Sequence, residues 1–291
     1  MILAVGIVIV MVLGTHFLMQ RHSNYVLDKD YKMVIFGNSH SECAYNDALI
    51  PKLKNYSKSG ETYFYTFQKM KEVIKQNPQI ETVFVELSNN QIYTGNDKAI
   101  YSAEIMNTMY PTHAAYMNLS DHQFLLFKNP LVFMNSVSIS LKDKLSRLVT
   151  NDFDYKNRIG GYLPLHHNKV DSLIMVMKKK PLKEFLDRDL SSYNLGYLRK
   201  IIEHCRSKNK KIFLLRSPVH DLKFTNKSEL EYQKILDMMF SDVKLIDLKD
   251  FEVKNDEFAD LNHLNIKGAE RFSKWFDKNL NKLTKLKTSK N

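Results

Sequence analysis

Cysteine is scarce in this chain: 291 residues carry only Cys43 and Cys205. Two thiols cannot build a disulfide framework, and their separation fits no zinc-ligand spacing, so no metal is expected. They read as two separate buried thiols, with a single bridge as the alternative. Acidic residues are also in deficit, 32 against 43 Lys and Arg, giving a net charge of +11. The excess lies in scattered lysines and two clusters, Lys178-Lys179-Lys180 and Lys282 to Lys290. Neither cluster is interleaved with aromatic rings as base stacking requires, so nucleic acid is not an expected partner. Solvated lysines on a basic protein account for the charge more simply. Internal repeats are absent. An apolar content of 44% and a charged content of 26% exclude general disorder.

Long apolar runs are missing except for one. Ile2 to Met19 has no charged residue and is broken only by Gly6, Gly14, Thr15 and His16. About 18 such residues sit at the lower limit for crossing a bilayer. No small-x-small cleavage site precedes Gln20, so an uncleaved signal anchor is expected over residues 1–19. A juxtamembrane link over 20–31 and a body over 32–291 follow. No Lys or Arg precedes the run and Arg21 follows it, so charge bias alone does not place the body outside the cytoplasm.

In the body, short apolar runs alternate with amphipathic ones. Strands are predicted at Lys32–Phe36, within Asn55–Tyr65, and at Thr82–Leu87, Lys211–Arg216 and Val243–Asp247. Helices are predicted at Ser41–Leu53, Thr66–Gln76, Tyr193–Lys208, Leu230–Phe240 and Lys267–Leu283. This rhythm predicts a parallel sheet covered on both faces. A Tyr-, Met- and Asn-rich stretch at about 91–191 interrupts it, and is longer than a crossover needs. It reads as a mostly helical insertion with loops at Tyr110-Pro111 and Gly160 to Pro164. Its aromatic residues would serve as core, or as a lid or sugar-binding wall.

Two separated motifs carry chemistry. The first apolar strand ends in Gly37-Asn38-Ser39-His40-Ser41, and Asp260-Leu261-Asn262-His263 precedes the closing helix. A serine on a strand-to-helix turn and an Asp-x-x-His loop supply nucleophile, base and orienting carboxylate for acyl transfer. Each residue also has a plainer role open to it. Ser39 and Asp260 would cap helices, His263 would sit on the surface, and Asn90 and Gly60 would be loop residues.

Taken together and in order, these segments resemble the SGNH-hydrolase superfamily of GDSL-like esterases and acyltransferases. Gly37-Asn38-Ser39 matches its first block, Gly60 the glycine after the second strand, Asn90 the asparagine after the third, and Asp260 with His263 the last. Asn38 stands where the family has aspartate. The run Asp260 to Ala269 is similar to envelope-associated, membrane-anchored members. The matched regions are roughly 32–90 and 192–283. The resemblance implies a three-layer α/β/α fold with a flavodoxin-like parallel sheet, and no cofactor. It also implies catalytic Ser39, His263 and Asp260, with an oxyanion hole from the Ser39 and Gly60 amides and the Asn90 side chain. His40, beside the nucleophile, and His220, beyond a strand end, are weaker substrate-binding candidates. His166-His167 has no acidic partner at ligand spacing.

The expected function is removal or transfer of a small acyl group, acetyl above all. The expected partner is an acylated glycan of the cell envelope or an exported one, or a small ester. The membrane is a second partner through the N-terminal helix, with the body on the periplasmic or extracellular side. The alternative is a non-catalytic SGNH-fold binding or assembly component of an envelope polysaccharide system.

Overall fold

The structure, a computed structural model, describes residues 2–179, 189–223 and 225–285; the side chains of 2–5, 8, 178, 179 and 226 lie outside that description. Five strands form one sheet: β1 (Met33–Phe36), β2 (Leu53–Asn55), β3 (Thr82–Glu86), β4 (Lys211–Arg216) and β5 (Leu245–Asp247). Every pairing is parallel, in the order β2-β1-β3-β4-β5. This is the flavodoxin-like order, with its switch point between β1 and β3.

The strands read as unbroken apolar runs because both faces are buried. Side chains alternate across the sheet, and the two faces have separate cores. Val34, Phe36, Val83, Val85 and Leu214 face one side. There they meet α3 (Tyr63–Gln76), α9 (Ser192–Ser207) and α10 (Asn226–Phe240). Ile35, Phe84, Phe213, Leu215 and Ile246 face the other. Their partners are α2 (Ser39–Ala44), α8 (Val170–Lys179) and α11 (Ile266–Leu283). Helix α11 shows why the sequence dictates this. Ala269, Phe272, Phe276 and Leu280 recur at helical spacing and all are buried. Each buried Phe contributes about 1.5–3 kcal/mol.

The insertion contains α4 (Gly95–Ile100), α5 (Ala103–His113), α6 (Leu119–Lys128) and α7 (Pro130–Thr150), followed by an irregular stretch before α8. Tyr110-Pro111 is not a loop: both residues are buried inside α5. A proline disfavours a helix interior, but the Tyr110 ring packs edge-on against Phe133 of α7, and tertiary packing decides. The second strand lies earlier than the pattern predicts: β2 meets the expected segment 55–65 only at Asn55, and the helix expected over Ser41–Leu53 ends at Ala44. The Asn55 side chain donates to the Ser41 and Tyr45 carbonyls and accepts from the Ser57 amide, which ends β2 there. Cys43 and Cys205 are both free and buried, and burial pushes each thiol up to about 12.

Helix α1 (Ile2–His22) docks its last turns on the insertion, with Thr15 and Met19 buried. The expected anchor at 1–19 falls partly on residues outside the description. Among the described residues, no helix is long and apolar enough to cross a membrane. The cluster at Lys178-Lys179-Lys180 and the tail beyond 285 also lie outside the described side chains.

Candidate active site

Parallel strands present all their carboxyl ends on one side, and β1 and β3 bracket the switch point. The chain leaves β1 through Gly37, where a Cβ would strike Ser41 Oγ at 2.2 Å and Glu86 Cβ at 2.5 Å. Only glycine lets the turn sit this close to β3. Asn38 is the N-cap of α2, its side-chain oxygen accepting the His40 amide at 3.0 Å. An amide oxygen fills this capping role as a carboxylate would, so the departure from aspartate leaves the turn intact. Because Asn38 is the cap, Ser39 is the first helical residue. Its hydroxyl is free for other bonds, and its amide has no intrahelical partner.

The hydroxyl points at His263. Ser39 Oγ lies 2.8 Å from His263 Nε2. On the far side of the ring, His263 Nδ1 is 2.9 and 3.0 Å from the Asp260 oxygens. Asp260 also accepts the amides of Asn262 at 2.7 Å and His263 at 3.0 Å, so the loop closes around its own carboxylate. Burial alone would raise the Asp260 pKa, but these donors and the imidazole outweigh it and hold the acid at about 2.

The rest of the motif anchors this loop. Asn265 caps α11 by accepting the Gly268 amide at 3.1 Å, while its side-chain NH2 donates to Asp256 and Phe258. A Cβ on Gly268 would meet Glu257 O at 2.2 Å, so glycine is needed where the loop crosses the helix. Local spacing brings Asp260 to His263, but it does not bring either to Ser39. The irregular end of the insertion makes that link. Gly161 donates to Ser57 O, Leu163 to Glu42 O on the helix of Ser39, and Lys169 to Ala259 O on the loop of His263, while Leu165 O accepts from Ile266.

Ser39 and His263 open onto a cavity of about 290 Å³, also lined by His40, Ser88, Asn89, Asn90, Arg216, Ser217, Val219, Lys223 and Asn262. Asn90 is the better-placed amide. Asn89 is committed, donating to Glu229 at 2.9 Å and accepting from Arg216. Asn90 Oδ1 instead lies 2.7 Å from the Ser88 hydroxyl, which leaves its NH2 to donate. Gly60 is exposed, has a φ of +73°, and is not among the lining residues. Of the three expected oxyanion donors, Ser39 and Asn90 border the cavity.

His40 is buried, with its ring 5.6 Å from that of His263 and edge-on to it. Burial, followed by the influence of His263, lowers its pKa to about 3, so it is neutral near pH 7 and is no competing base. His220 faces a neighbouring cavity with Asp221 and Asn255, which shares Val219 with the first.

Sequence patterns alone did not mark Arg216, Ser217 and Lys223 as site residues, nor the buried Glu86 behind them. The signal was an acid or base ending an otherwise apolar strand. Glu86 accepts the Ser217 amide at 3.1 Å and the Ser217 hydroxyl, and burial pushes it up to about 7. A carboxyl raised in the folded state stabilises below its unfolded pKa of about 4.3, and this is lost as pH rises through 7. The stability difference between Glu86→Gln and wild type, from urea denaturation, should therefore shift toward the variant between about pH 5 and 8. A constant difference would refute the raised pKa.

A protein-family model without a functional description matches residues 152–285, under half of the chain. No curated protein matches the sequence. Among solved structures, that of a candidate platelet activating factor from Streptococcus pneumonia aligns with 96% of this chain and 99% of its own. Its identity is 13% and the TM-score 0.39, which carries no argument about function.

Proposed function

We propose that this chain is an SGNH-type serine esterase or O-acyltransferase. The hydrogen-bonded line Ser39–His263–Asp260 carries the reading. Ser39 Oγ attacks the ester carbonyl as His263 Nε2 takes its proton, and Asp260 fixes the tautomer and supports the imidazolium. The tetrahedral oxyanion is met by the Ser39 amide and the Asn90 NH2, each such donor contributing roughly 3 kcal/mol. His263 then returns the proton to the leaving alcohol. Water deacylates the serine in an esterase, and a sugar hydroxyl in a transferase.

The cavity supports a small acyl group on a polar carrier. Among the described lining residues Val219 is the one aliphatic side chain, which gives a long acyl chain little apolar surface there. Acetyl on an envelope or exported glycan is the substrate we favour, with the apolar run at Ile2–Met19 as membrane anchor. The test is a serine-directed fluorophosphonate with intact-mass readout, alongside acetate release from p-nitrophenyl acetate. The expected result is one adduct, on Ser39, absent from His263→Ala. Labelling at another serine, or none in folded protein, would overturn the reading.

A further inference from the structure

The charge of the catalytic cavity points to its substrate class. Arg216 and Lys223 line it, the other polar lining groups are hydroxyls, amides and imidazoles, and no carboxylate is among the lining residues described. The nearby acids stand behind this wall and are already engaged. Glu86 is bonded to Ser217, Asp260 to His263, and Glu229 and Asp247 to Arg216, at 2.9 and 3.2 Å to its Nη1. Two carboxylates thus offset the one guanidinium, whose side chain is 1% exposed. Lys223 differs. It is exposed at the cavity mouth on the turn Asp221–Lys223 and has no carboxylate partner among the described residues. The adjoining cavity beyond Val219 has the opposite character, with Asp221, Asp250 and Glu252 in its lining.

We propose that the catalytic cavity selects esters carrying an anionic group, carboxylate, phosphate or sulfate, held by Lys223. This rests on the serine-ester reading above and names its substrate class. A cation lining a concave site attracts such a group more strongly than one on an open, convex surface would. Hydroxyl and amide donors around it complete the group's hydrogen bonds without repelling it.

The experiment compares kcat/KM for 4-acetoxybenzoate with that for its neutral methyl ester, and for mono-4-nitrophenyl succinate with that for 4-nitrophenyl butyrate. The first pair carries the charge on the alcohol side and the second on the acyl side. In one pair the anionic-to-neutral ratio should exceed unity in the wild type. It should fall about tenfold in Lys223→Met and be retained in Lys223→Arg. A ratio that Lys223→Met does not change in either pair overturns the proposal; an equal loss on both members would assign the cation to the oxyanion instead. Calorimetric binding of 4-hydroxybenzoate against 4-hydroxybenzamide separates this from failure of the catalytic reading. Selective binding that Lys223→Met weakens, without turnover, keeps the anion site and removes the esterase. Equal binding of the two removes the anion site.

Discussion

Alanine at Ser39 or at His263 is expected to lower kcat for acyl-ester turnover by about 10⁴- to 10⁶-fold. On the proposed mechanism the two side chains act as one unit: without the hydroxyl there is no acyl-enzyme, and without the imidazole the hydroxyl keeps its proton. The Ser39→Ala/His263→Ala double variant should therefore be little slower than either single variant. Asp260→Asn belongs to the same unit but should lose less, about 10³- to 10⁴-fold. It keeps the loop's shape while presenting an amide where the imidazole N–H needs an acceptor. Because Asp260 is held at about 2, its own protonation does not account for activity lost above about pH 3. Steady-state kinetics on p-nitrophenyl acetate check each value. Ser39→Ala turnover within tenfold of wild type would remove the serine mechanism.

Much of this arrangement was legible because it is local. Apolar four- to six-residue runs ending in Gly-Asn-Ser or Glu-Leu-Ser locate β1 and β3, and both faces of the sheet ask for unbroken apolar sequence. The Asp260-to-Gly268 run writes out its own geometry. Asp260 accepts two amides within three residues, Asn265 caps α11, and Gly268 admits the crossing loop. What sequence alone could not show is nonlocal. The 2.8 Å contact between Ser39 and His263 spans more than two hundred residues, and the segment joining their loops has no regular secondary structure. Arg216, at the end of β4, and Lys223, on the turn beyond it, are ordinary basic residues until the fold brings both to one cavity. Gly60 is assigned by the family resemblance, and its positive φ serves the turn, while Ser39 and Asn90 border the cavity.

Lys69→Met is expected to cost about 3–5 kcal/mol of unfolding free energy, far more than a surface lysine would. Lys69 and Glu61 form an ion pair with both side chains 0% exposed, and His113 Nε2 lies 3.2 Å from the other Glu61 oxygen. Burial pushes the Glu61 acid up, but Lys69 and then His113 outweigh it and lower its pKa, keeping it ionised. Burial lowers the Lys69 pKa, and Glu61 opposes this. The ammonium also donates to two backbone carbonyls, those of Tyr56 and of Ile159 at 2.8 Å. Methionine has similar length but leaves a dry carboxylate and two dry carbonyls with one partner fewer each. The Glu61→Gln/Lys69→Met double variant should cost less than Lys69→Met alone, since the stranded charge is gone. Urea denaturation measures both, and a single-variant loss below about 1 kcal/mol would mean that water already reaches the pair. The location gives the network a bearing on the site. Ile159 begins the segment that bonds Ser57, Glu42 and Ala259, so Lys69 pins the near end of the tie between nucleophile and base.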